Sequence, residues 1–334
     1  PRSTLFPYTT LFRSGIDTSA INTTNECRKG SEETSMKDNP KPPVLCIGSA
    51  LWDTIASASC EMQPGNDVAG IIRRRPGGVA LNIALALVKR GQPAALLTTI
   101  GKDPQGDELV AKLEEAGVDC QYVTRINDPT DNYLAIETTS GVIFGAIADC
   151  ASLEKAGDLI LEPVRNGQLA SANNRWRGSV VIDGNLPVST LESIAENNDF
   201  DSAHLSFVPA SPSKAERMRA ALKAQSGTLF VNKGEAEILC NREIESSREA
   251  SELLRQMGAH RAIVTDGPNE SALCDKNGTI VVIPPKVVAK TTTGAGDVFL
   301  ATFVGAEIAS TMALREIMEA SAKAAADHVM KDTQ

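Results

Sequence analysis

Thr291-Thr292-Thr293-Gly294-Ala295-Gly296-Asp297 runs straight into the apolar stretch 298–309, and this junction decides how the rest of the chain is read. A Gly-Ala-Gly turn that opens a helix leaves backbone N–H groups without intrahelical partners. The helix dipole adds partial positive charge at the same place. Gly294, Ala295 and Gly296 therefore form a site for negative charge developing on a transferred phosphate. Asp297 falls in the first turn beside it, where a carboxylate either takes the proton of an attacking hydroxyl or merely complements the dipole. The chain contains no GxxxxGK[ST] loop. Gly294-x-Gly296-x-x-Phe299 lacks the third glycine of a dinucleotide fingerprint and lies late in the chain.

Working back from this junction, short apolar runs alternate with helical patterns. Strands are expected at 44–48, 94–100, 119–124, 179–183, 204–207, 228–231, 261–265, 271–274 and 279–283. Helices are expected at 78–90, closed by Gly91, then at 104–116, 294–309 and 313–330. The fold class is α/β: a central, mostly parallel sheet with helices on both faces. Two strand-rich segments break the alternation, 51–75 and 132–147, the second a hairpin turning at 138–141. Both read as a small β-sheet lid.

Composition narrows the function. Hydrophobic residues at 42% and charged residues at 22% fit a globular chain. A net charge of −9 lacks the basic footprint of a nucleic-acid binder, and no apolar run is long enough for a transmembrane helix. Seven cysteines without a CxxC, mostly in apolar runs, fit buried thiols in the cytoplasm. Three scattered histidines (His204, His260 and His328) support neither a metal site nor a Ser-His-Asp triad. Residues 1–35 carry 12 Ser or Thr and balanced charge without periodicity. They read as a disordered, non-native leader before Met36, and 36–334 as one domain.

Four further places can carry chemistry. Gly77-Gly78 precede a helix whose first turns are apolar except for Asn82, which either ties a loop or reaches a ligand hydroxyl. The paired glycines permit close backbone approach to a ligand. Asp53 lies five residues past the glycine that ends the first strand and suits a vicinal diol, or a turn. Asn232-x-x-Glu235 follows the strand 228–231, where the pair either holds a hydrated Mg²⁺ or caps a helix. Thr265-Asp266-Gly267 shapes either a nucleotide-phosphate turn or an ordinary strand end.

The order of these elements resembles the ribokinase (PfkB) carbohydrate kinase superfamily: G-G-x-x-x-N early, N-x-x-E in the middle, T-x-G later and T-G-A-G-D near the end. The resemblance spans about 44–330. It implies ATP and Mg²⁺ as cofactors and leaves room for a monovalent cation. Asp297 is then the catalytic base and Gly294–Gly296 the anion hole. Asn232 and Glu235 take the metal, with Asn232, Thr265, Gly267 and Thr293 on the ATP side. Asp53, Gly78 and Asn82 take the sugar hydroxyls. Within the superfamily, residues 48–53 (GSALWD), 147–149 (IAD), 183–187 (DGNLP) and 211–215 (SPSKA) are similar to the pseudouridine kinase branch.

Leu51 and Val79 stand where ribokinases carry Asn and Lys, which suggests a bulkier, flatter C1 substituent than a hydroxyl. Thr291 replaces the usual Asp at the head of the last motif. The implied reaction phosphorylates the 5′-hydroxyl of pseudouridine, with Asp149 reading the base. The rivals are kinases of a free sugar, a sugar acid or another nucleoside, a nucleoside-binding module without turnover, and a dinucleotide oxidoreductase. The expected partners are a small-molecule acceptor and, through the edges of the lid, a second copy of the chain.

Overall fold

The computed structural model describes residues 43–331 apart from 64, 140–142, 225, 291 and 292. The leader 1–35, Met36, the tip of the lid hairpin and Thr291 lie outside the described residues.

Among the described residues the fourteen strands are β1 (Val44–Ile47), β2 (Leu51–Ala58), β3 (Gly70–Gly77), β4 (Ala94–Leu97), β5 (Thr99–Gly101), β6 (Thr124–Ile126), β7 (Asn132–Glu137), β8 (Ile143–Asp149), β9 (Ser179–Asp183), β10 (His204–Val208), β11 (Thr228–Asn232), β12 (Arg261–Thr265), β13 (Ser271–Asp275) and β14 (Gly278–Val282). Eight of them form the main sheet in the order β14-β13-β12-β11-β10-β9-β1-β4. It is parallel from β4 to β12, and β13 and β14 close it as an antiparallel edge.

The α-helices are α1 (Val79–Val88), α2 (Pro104–Glu115), the one-turn α3 (Ser152–Ala156) and α4 (Glu162–Arg165), α5 (Val188–Glu196), α6 (Lys233–Cys240), α7 (Ser247–Gln256), α8 (Ala295–Ala309) and α9 (Leu314–Val329). Strand alternation divides the apolar core in two. Leu45, Ile47, Val180 and Ile182 face the layer holding α5, α6 and α7. Val44, Cys46 and Val181 face the layer holding α1, α8 and α9. Continuous apolar runs are what a sheet buried on both faces requires. None of the helices in the described residues is long and apolar enough to cross a membrane.

The chain runs from β1 outward to β4 and returns to β9 on the other side of β1. The β1/β9 gap is therefore the topological switch point, where the ends of the strands open a crevice. The segments expected to form a lid do make a separate four-stranded sheet, β3-β2-β7-β8. The run 94–100 is two strands rather than one. β4 stays in the main sheet, whereas β5 turns away after Thr98 to pair with β6. The strand expected at 119–124 is likewise displaced. Asp119 makes only an isolated bridge to Ala95, and regular pairing begins at Thr124.

Candidate active site

Gly294 caps α8 with φ +80, a left-handed conformation that glycine adopts without strain. Beside this cap opens a cleft of about 510 Å³ whose walls include Asp53, Arg75, Asn82, Thr293, Gly294 and Asp297. Burial pushes the Asp297 carboxyl up to about 7. A hydrogen bond from Asn82 pulls it down, and the negative charge of Asp183 raises it further. A carboxyl poised near 7 is matched to taking a proton at neutral pH.

Asn82 lines this cleft and bonds Asp297. Its Nδ2 donates to Asp297 Oδ2 at 3.2 Å, so the half-buried amide orients the carboxylate of the neighbouring helix. α1 and α8 pack directly, which makes the pairing a consequence of helix–helix contact. The paired glycines are packed tightly. A Cβ on Gly77 would lie 2.3 Å from the Asp53 carboxyl carbon, and one on Gly78 would lie 2.5 Å from the Ser49 carbonyl oxygen. They make room for the protein's own groups.

Asp53 sits on lid strand β2 rather than in a turn, beside Arg75 at 4.0 Å. Burial raises its carboxyl, and the Arg75 guanidinium lowers it in part. Asp149 ends β8, opposite Asn132, and is exposed; it does not line the cleft that holds Asp53, Asn82 and Asp297.

On the other side of the Gly294–Gly296 turn lies a second cavity of about 370 Å³, walled by Thr265, Gly267, Ser271, Ala295, Gly296 and Phe299. Its lining is mostly apolar, which suits the flat ring of a nucleotide base. A smaller space of about 120 Å³ touches Asn232, Glu235, Thr265, Gly296 and Asp297 and adjoins both cavities. Asn232 and Glu235 form a reciprocal capping box on α6. Glu235 N donates to Asn232 Oδ1, and Asn232 N donates to Glu235 Oε2, each at 2.9 Å. This commits the Asn232 oxygen and leaves Glu235 Oε1 outside the box. Glu235 is 7% exposed, and burial pushes its carboxyl to about 7. A carboxyl held so far from its ordinary value, facing the same space as Asp297, suits a hydrated divalent cation that takes few protein ligands. Among the described residues no cluster of three acidic, His or Cys side chains offers an all-protein metal cage.

Further residues join the site. His328 on α9 bonds through Nε2 to the Thr293 carbonyl oxygen at 2.9 Å and steadies the turn before α8. Ser49, Asp183, Asn185 and Lys214 gather at the β1/β9 switch point. All four lie in the strings 48–53, 183–187 and 211–215 that carry the family resemblance, but no role attached to them there.

Residues 41–331 match the pfkB family carbohydrate kinase domain. The pseudouridine kinase of Escherichia coli K12 is 28% identical over 275 residues, covering 78% of this chain and 82% of that protein. The deoxyribokinase of Salmonella typhi is 24% identical over 265 residues, covering 78% and 84%. Ribokinase of Arabidopsis thaliana, solved with ribose and ATP, superposes with a TM-score of 0.70 at 22% identity, covering 87% of this chain and 93% of that one.

Proposed function

The chain belongs to the pfkB family of carbohydrate kinases, and from that premise we propose that it transfers the γ-phosphoryl group of ATP to the 5′-hydroxyl of pseudouridine. The observation that carries the reaction type is the convergence of Asp297, its orienting Asn82 and the Gly294 turn on one cleft, with a base-sized cavity behind that turn. The choice of acceptor is supported by the 28% identity to a pseudouridine kinase. It is supported too by the apolar Leu51 and Val79 at the positions where ribokinases carry Asn and Lys.

Asp297 accepts the hydroxyl proton as the acceptor oxygen attacks the γ-phosphorus. The bond from that phosphorus to the bridging oxygen breaks, and ADP leaves. The free amides at the α8 N-terminus bind the charge that spreads over the transferring group. Asn82 keeps the carboxylate aimed, and Asp53 holds the ribose diol from the lid side. Closure of the lid sheet keeps water from competing as acceptor. Glu235 is the residue that would hold Mg²⁺, which when bound neutralises phosphate charge. The lid's exposed Ile71, Ile72, Ile143, Phe144 and Ile147 support pairing with a second copy of the chain.

The test is a phosphoryl-acceptor panel of pseudouridine, uridine, adenosine, ribose, fructose and 2-keto-3-deoxygluconate with Mg-ATP. The highest kcat/KM is expected for pseudouridine. A higher value for a free sugar, a sugar acid or another nucleoside would replace it as the acceptor.

A further inference from the structure

At the switch point a chain of hydrogen bonds runs outward from a carboxylate that the phosphoryl transfer does not use. Asp183, at the end of β9, is 0% exposed and has no cationic partner among the described residues. It accepts from Ser49 N at 2.8 Å, Ser49 Oγ at 2.5 Å, Ala80 N at 3.3 Å, and Asn185 N at 2.8 Å. These donors come from the ends of β1 and β9 and from the start of α1, so one buried anion pins three elements together.

The Ser49 hydroxyl is fully used. It donates to Asp183 and accepts from Val79 N at 3.0 Å and Asn185 Nδ2 at 2.9 Å. That fixes the Asn185 amide with its nitrogen inward, so its oxygen points outward. Asn185 Oδ1 accepts from Lys214 Nζ at 2.5 Å. Lys214 belongs to the first turn of the 3₁₀ segment Pro212–Leu222, after β10. It is half-buried, and among the described residues it forms no ion pair. An ammonium has three donors, and one is used here. The Ser49 hydroxyl that holds Asn185 also bonds Val79 N, beside Gly77-Gly78, and a Cβ on Gly77 would lie 2.3 Å from the Asp53 carboxyl carbon. The network that carries the ammonium is therefore continuous with the backbone that packs against the carboxylate taking the ribose.

We propose that Lys214 is an acceptor-specificity residue, whose ammonium, aimed by Asn185, Ser49 and Asp183, takes a carbonyl oxygen on the acceptor's C1 substituent. In pseudouridine that oxygen belongs to the uracil ring, so the assignment rests on the reading of the acceptor given above. A half-buried cation without a carboxylate partner is costly until a ligand supplies the electron-rich atom. Free ribose offers only a hydroxyl at that position, a weaker acceptor than a carbonyl oxygen.

The experiment is steady-state kinetics of the full chain with Mg-ATP for the wild type, Lys214→Met and Lys214→Gln. The readout is the ratio of kcat/KM for pseudouridine to that for ribose. Misfolded protein drops out of both terms, so the ratio is indifferent to a loss of fold. In Lys214→Met the ratio should fall about 10- to 100-fold, the size of a lost hydrogen bond to a charged group. The fall should be carried by KM for pseudouridine, and Lys214→Gln should restore part of it. A ratio within twofold of the wild type overturns the assignment, as does a wild type that prefers ribose to every carbonyl-bearing acceptor. A wild type that phosphorylates 2-keto-3-deoxygluconate but not pseudouridine ends the pseudouridine reading alone. Lys214 is then judged by the same ratio with that acid, where a selective fall supports the assignment and an equal fall overturns it.

Discussion

Replacing Asp297 by Asn separates what the carboxylate does for the reaction from what it does to the fold. Asparagine keeps the shape and still offers Asn82 Nδ2 an acceptor oxygen, so the 3.2 Å contact can survive. It cannot take a proton. Loss of a general base costs roughly 10²–10⁴ in rate, so turnover at pH 7.5 should fall at least about 100-fold in a coupled ATP-consumption assay. The wild-type rate should rise with pH through about 7, where the Asp297 carboxyl titrates, and the variant should lose that limb. Stability should move the other way. The carboxyl stands at 3.8 in the unfolded chain and at about 7 in the folded one, so the folded state binds the extra proton between those values. Stability therefore falls as pH rises across that window, and the full penalty is present above about 7. By the same linkage the advantage of Asp297→Asn over the wild type should grow with pH. The ceiling is about 2–3 kcal/mol between pH 5 and pH 8, reduced by whatever solvent reaches the group. Glu235 titrates in the same range but is common to both proteins and cancels in the difference. Urea unfolding at the two pH values, without nucleotide, measures it. Near-wild-type turnover would remove Asp297 from proton transfer, and a stability difference flat with pH would refute the burial account of its raised carboxyl.

Asn82→Ala removes the bond that pulls Asp297 down, so the midpoint of the pH–rate profile should move upward and the rate at pH 7 should fall roughly 10-fold; an unmoved midpoint would deny Asn82 its orienting role. Gly294→Ala puts a Cβ at φ +80 and 3.2 Å from His328 Nε2, at a cost of about 1–2 kcal/mol, which should appear as a melting temperature lower by a few degrees. Ile72→Lys charges an exposed apolar position of the lid, 73% exposed, and should convert a dimer to a monomer in light scattering; a mass unchanged from the wild type would speak against lid pairing.

How much could be read from sequence follows from the distance over which each contact is specified. Val44-Leu45-Cys46-Ile47 carries its own message: four apolar residues in a row serve only a strand with both faces covered, and the structure buries all four. The same continuity concealed the bend at Thr98, because an apolar run looks alike whether it stays in one sheet or passes to another. Asp119 shows the limit on the partner side, where propensity extended a strand to a place at which only one bridge forms.

The candidate site divides along the same line. Gly294–Asp297 and Asn232–Glu235 were legible because each is a single helix start, its geometry fixed by neighbours in the chain. The Asn82–Asp297 bond spans 215 residues, and only the packing of α1 on α8 creates it. Ser49 and Asp183 are 134 residues apart, and no local pattern joins them. What joins them is strand order: β1 beside β9, with α1 starting above both. A chain that leaves β1 in one direction and returns on its other side must expose unpaired strand ends there, and those ends need donors and acceptors of their own. Asp183 and Ser49 meet that need, and in doing so they orient Asn185 toward Lys214. The buried anion that satisfies the switch point is thus also the anchor for a cation at its mouth, which ties the topology of the sheet to the choice of acceptor.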